Sequence, residues 1–210
     1  VRRHPHRQEL LLAAREHDNG WREADAAPRV DPISGRPLDF RDLTSADRIE
    51  IWRRGVRRFG KERPLVALLI LHHARQIHND DWQRADWMEF GDEIEELRLD
   101  LEDASGIETS TVAAAHRFLE LADLLSLGAC GALGAGVSRH LSGGYRFEAE
   151  LGRIALDPFP LAGATSLDVA YRSLPGQARD GAAGLAVELA EARWRRLPVH
   201  VEPLHEESVS

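Results

Sequence analysis

Residues 64–77, "PLVALLILHHARQI", restrict the fold more than any other stretch of the chain. From Leu65 to Leu71 every residue is apolar, so a helix begun at Pro64 has no polar face over its first two turns and must be buried. At its end it carries His72 and His73 out of that interior. The run is too short to cross a bilayer, as is Leu121 to Leu127, and no basic-then-apolar leader precedes the first helix. A soluble, cytoplasmic protein with no membrane partner is therefore expected.

Composition narrows the class further. The chain has 210 residues, 43% hydrophobic and 30% charged, enough for one compact domain with a real core. Net charge is -8, and Lys61 is the only lysine among 27 basic residues, so no lysine-rich stripe is present to follow a phosphate backbone and no nucleic-acid partner is expected. Cys130, the single cysteine, permits neither an internal disulfide nor a zinc ribbon and suits a reducing compartment.

Helical patterns dominate the first two thirds. "QELLLAAREH", Gln8 to His17, ends at Asn19-Gly20, which is read as a left-handed stop. A Pro- and Gly-broken loop from Trp21 to Thr44 follows, then a helix over Ala46 to Arg58 capped by Ser45. After the buried helix come an amphipathic one from about Asp81 to Asp103 and another from Thr109 or Ser110 until the glycines from Gly128 onward. Beyond Gly143 the pattern changes: "YRFEAEL", "IAL" and "SLDVAYRSL" read as two or three antiparallel strands, with a turn at Gly152-Arg153. A last helix over Ala182 to Trp194 and a short strand in "PVHVEP" complete the chain. The expected fold is mainly α with a small C-terminal antiparallel β layer, α+β in all. The predicted parts are a helical metal-binding core over 1–142 and a β-rich extension over 143–210, packed as a single compact domain.

One His-Asp dipeptide is expected by chance in a chain with ten histidines, so His17-Asp18 means little by itself. At a helix end, however, both side chains can reach one point, as two metal ligands require. The bland alternative is a polar helix ending, with His17 meeting the helix dipole. Asp123 weighs against it. It lies among Leu119, Leu121, Ala122, Leu124 and Leu125, where a carboxylate needs a partner or a metal. His116 and Glu120 share its helical stripe. Of His72 and His73 only one can face inward, and His72, with Gln76 a turn later, is the expected one. His78, beside Asn79-Asp80-Asp81, is assigned to a solvated turn.

"LLLAAREHDNGW", "APRVDPISGRPLDF", "PLVALLILHHARQ" and "LELADLLSLGAC", in that order, resemble the family catalogued as domain of unknown function 3891. The skeleton of a His-Asp pair, a helix-borne His and a late Asp is also similar to the HD superfamily of metal-dependent phosphohydrolases, which are helical bundles. That resemblance implies metal ligation by His17, Asp18, His72 and Asp123. The superfamily uses an earlier histidine as well, and only His4 and His6 precede the pair here.

The expected activity is hydrolysis of a small phosphorylated metabolite or nucleotide through a metal-activated water. The expected cofactor is one or two divalent transition metal ions (Mn, Fe, Co, Ni or Zn). Asp18 would serve both as ligand and as the catalytic group taking the water's proton. His116 and Glu120, with Glu16, would support the ligands from behind. Trp21 and Arg36, with Arg29 and Arg41, would contact an anionic small-molecule substrate. Two other readings stay open: a dinuclear iron oxygenase, and a non-catalytic interaction module whose strand layer forms a homodimer or partner surface.

Overall fold

The computed structural model of the protein describes residues 4–78, 80–134, 136–141, 144–174 and 181–204. Asn79 and the predicted boundary at 142–143 lie outside these residues. The chain forms two compact units, residues 1–119 with 175–190 and residues 120–174 with 191–210, and the division falls inside a helix.

The first unit is built around the apolar helix α4 (Pro64–Ile77), opened by its proline and buried at every position from Leu65 to Leu71. Around it lie α1 (Arg7–Glu16), α3 (Ser45–Arg57) and α5 (Ala85–Ser105), which contribute Leu10 and Ala13, Ile49, Trp52 and Val56, and Trp87, Phe90 and Ile94 to one core. Burying each large side chain of this set stabilises the fold by about 2 kcal/mol. The unit also holds α2 (Arg22–Ala26), the first half of α6 (Thr109–Ala129) and α7 (Gly181–Glu191). No helix among the described residues is long and apolar enough to cross a membrane.

Local chemistry sets the helix ends. Thr44, not Ser45, caps α3: its hydroxyl accepts from the Asp47 amide (3.2 Å), and the Asp47 carboxylate accepts from the Thr44 amide (3.3 Å). At Gly106 the backbone turns left-handed (φ 63°) and ends α5. Gly20, in contrast, has no positive φ and sits inside a 3-10 turn, Asn19–Trp21. It is glycine because a Cβ there would lie 2.0 Å from the Ile51 carbonyl oxygen on α3. The loop beyond α2 is ordered by a short bridge, with the Asp31 amide donating to Arg36 O (2.8 Å) and the Leu38 amide to Arg29 O (2.9 Å).

The second unit corrects the expected fold. In place of a small antiparallel layer there is a five-stranded mixed sheet, order β1-β2-β3-β5-β4, and the protein is α+β. Its strands are β1 (Val137–His140), β2 (Arg146–Glu150), β3 (Arg153–Asp157), β4 (Thr165–Arg172) and β5 (Trp194–Pro203). β1 precedes the point where alternation becomes legible, because its residues are mostly exposed and carry no apolar period. The β2–β3 turn falls at Leu151-Gly152, where Gly152 takes φ 81°.

β5 is ten residues long and runs parallel to β3 and antiparallel to β4. Its first half, rich in arginine and containing Pro198, does not read as a strand. Pro198 is tolerated because the β3 pairing begins only at His200, so the missing amide faces no partner strand. Phe147, Ala149, Ile154, Leu156, Val199 and Val201 form this unit's core with Leu121 and Leu124 of α6. Gly128 permits the close fit of α6 on the sheet, since a Cβ there would meet Phe147 at 3.1 Å and Ile154 at 3.2 Å.

Candidate metal centre

His17 is the residue at which α1 ends, and its ring is buried. Its Nδ1 lies 2.9 Å from the Ala14 carbonyl oxygen, which can only accept, so Nδ1 carries the proton and Nε2 presents a lone pair. This is the second-nitrogen anchoring that ligating histidines commonly show. The exposed Asp18 carboxylate approaches that Nε2 to 3.2 Å. The Nε2 lone pair and this carboxylate are thus neighbouring acceptor groups.

The turn that fixes this pair is tied to α3. Asn19 donates to the carbonyl oxygens of Glu16 (2.7 Å) and Gly55 (3.1 Å), and Arg58 donates to both oxygens of Asn19. Asp25 is held above the usual carboxylate range by burial and by the charge of Asp18.

His73 rather than His72 enters the interior. It is 2% exposed, its ring centroid is 5.3 Å from that of His17, and its Nδ1 is 3.1 Å from Nε2 of His116 on α6. With Nδ1 as donor to His116, His73 turns its Nε2 lone pair outward from that bond. Burial, reinforced by His17 and the other rings, pushes the His73 imidazole down to about 3. Burial, with His72 adding to it, pushes His116 down to about 4. Both are neutral at pH 7, the form that binds metals.

α6 is unbroken from Thr109 to Ala129, so Asp123 follows His116 by two turns on the same helix. One ligand atom from each of His17, His73 and Asp123 lies within 4.8 Å of the other two. Ligands about 2.1 Å from a single tetrahedral ion are roughly 3.4 Å apart, a separation of the same order as the spacing in this group. Two imidazoles and a carboxylate suit a divalent transition metal.

The remaining candidates are distributed differently. His72 is half-buried, its ring 4.7 Å from that of His116, and with Gln76, Trp82, Met88 and Arg98 it lines a cavity of about 820 Å³ in the first unit. Glu120 is half-buried one turn after His116. Glu16 pairs with Arg15 and Arg22. Trp21 is half-buried, its amide donating to Asp18 O (3.0 Å). Arg36 pairs with Asp42 (3.2 Å), Arg29 with Asp47 (2.9 Å) and Arg41 with Asp39 (3.1 Å). The His4 ring accepts from the His6 amide (3.1 Å), and neither joins the converging group.

His78 has a defined place rather than a solvated one. Its Nε2 accepts from Trp52 Nε1 (3.0 Å), its Nδ1 donates to Asp81 (2.9 Å), and its ring stacks on Trp87 at 4.4 Å. The Trp52 indole in turn packs edge-on to His73 (6.1 Å).

Residues 1–176, the span that holds every one of these side chains, match the family described as "Protein of unknown function (DUF3891)". The chain belongs to that family. No curated protein and no solved structure matches this DUF3891 member.

Proposed function

We propose that this DUF3891 protein is a metal-dependent hydrolase of the HD type, acting on a small phosphorylated metabolite or nucleotide. The observation that carries the reading is the convergence of His17, His73 and Asp123 within 4.8 Å. The order of a His-Asp pair, a helix-borne His and a late Asp supports it. A divalent cation in this group would acidify a water and offset negative charge on a substrate oxygen.

The chain's own residues supply the rest. The Ala14 carbonyl and His116 orient the two ligand rings through their Nδ1 atoms. Asp18, exposed beside His17 Nε2, would hold the attacking water and take its proton. Arg36 is already committed to Asp42, so substrate contact by that residue would require exchange of one carboxylate for another anion.

The test is hydrolysis of a panel of phosphomonoesters and nucleotides by protein loaded with Mn, Fe, Co, Ni or Zn. Turnover is expected in the parent, with kcat reduced about 100-fold or more in Asp18→Asn while metal content is kept. A metal-loaded parent that turns over nothing would favour the binding-module reading.

A further inference from the structure

β4 forms one edge of the sheet and, among the described residues, pairs only with β5. Its eight residues contain no proline or bulge, and its only charges, Asp168 and Arg172, are of opposite sign and so do not guard the edge against a copy in complementary register. Most of them are exposed, including Leu167 at 47% and Tyr171 at 39%, and Trp194 on the neighbouring strand is 66% exposed. Among the described residues, no strand takes up the outward backbone groups of this full-length strand.

The order of charges selects the partner. A two-fold axis perpendicular to the sheet brings a second β4 antiparallel and preserves the faces, so only residues of the same parity meet. Centred on Ala170, it sets Asp168 opposite Arg172 of the second copy, and Arg172 opposite Asp168 of the second copy. The other face then sets Val169 against Tyr171, again twice, an aromatic and β-branched pairing that favours strand association. Centring on Asp168 or on Arg172 opposes like charges, and centring on Val169 pairs no opposite charges. Arg172 stacks on Trp194 (4.4 Å), its cross-strand neighbour on the same face, and Asp168 pairs within the chain with Arg196 (3.2 Å), so Arg172 of the second copy adds to an existing carboxylate–guanidinium pair.

We infer that two copies of this chain associate through antiparallel β4–β4 pairing about a two-fold axis at Ala170, making one sheet from two. This stands independently of the metal reading. A single pair of strands buries an area at the low end of specific interfaces, so the dimer is reversible and concentration-dependent.

Sedimentation velocity on the full chain from about 5 to 300 μM, below and above the micromolar range of such interfaces, tests it. The parent shifts from monomer to dimer, Asp168→Arg and Arg172→Asp each weaken association at least tenfold, and the two combined restore it to within about threefold. A parent that stays monomeric, or a dimer indifferent to both changes, overturns the proposal. Should the charge variants fail to fold by circular dichroism, Ala170→Cys with Cys130→Ser gives a second reading. The opposed Cβ atoms would be about 4.5–5.5 Å apart and cross-link on oxidation. Ser166→Cys, off the axis, would not cross-link. Absence of the Ala170→Cys cross-link overturns the register.

Discussion

His72 and His73 are neighbours with opposite surroundings, and helix geometry explains why. His73 continues the line of Val66, Leu69 and Ile70, all without exposure, whereas Arg75 and Gln76, a turn beyond His72, are exposed. The buried rings make stability depend on pH. The His73 and His116 imidazoles, pushed down to about 3 and about 4, lie below the ordinary value of 6.5, so between those limits the unfolded chain binds more protons. In metal-free protein their contribution is complete above about pH 6.5 and is lost as pH falls toward 4. Each group adds a slope of up to about 1.4 kcal/mol per pH unit. Urea midpoints measured from pH 7.5 to 4.5 should fall with this sign, and a flat profile would contradict the buried neutral pair. His116→Gln should weaken metal binding about 10- to 100-fold while the fold persists, because the His73 ring loses its anchor. Of the converging group, His17 is legible in the sequence from its place at a helix end and Asp123 from its apolar neighbours, whereas Asp18, the other half of the His-Asp pair, lies outside that group. His73 is not legible, because α4 is apolar on every side before its histidines, and Gln76, a turn after His72, makes the His72 side look like the inward one.

Among elements, helix existence was legible and sheet topology was not. α4 could be nothing but a buried helix, and the Thr44–Asp47 box lay one residue from the cap expected at Ser45. β5 was hidden because its arginine-rich first half and Pro198 mimic a loop, and its parallel partner β3 is some forty residues away in the chain. The meaning of Gly20 also needed the structure: the constraint is the approach of two backbones, which no local pattern encodes. Gly20→Ala should therefore lower stability by about 3 kcal/mol, read from the urea midpoint, since the Ile51 carbonyl blocks the methyl group. Gly55→Ala, on the facing helix, has its nearest neighbour at 3.5 Å and should be neutral or stabilising by up to about 1 kcal/mol. Equal losses in both would show that the close contact is not at Gly20.

At the scale of the molecule, the histidine cluster and the open sheet edge make two separable claims, one about chemistry and one about assembly. Ligand binding to the folded chain alone raises its stability by mass action, so a metal at about 100 times its Kd should add roughly 2.7 kcal/mol and raise the Tm accordingly. The most direct test of the central claim is the metal content per chain, by elemental analysis of untagged protein loaded with Mn, Fe, Co, Ni or Zn and dialysed. About one ion per chain is expected in the parent and in His72→Ala, and loss of it in His73→Ala and Asp123→Ala with the fold retained by circular dichroism. A parent that takes up no ion, or folded His73→Ala and Asp123→Ala variants that keep it, would contradict the account.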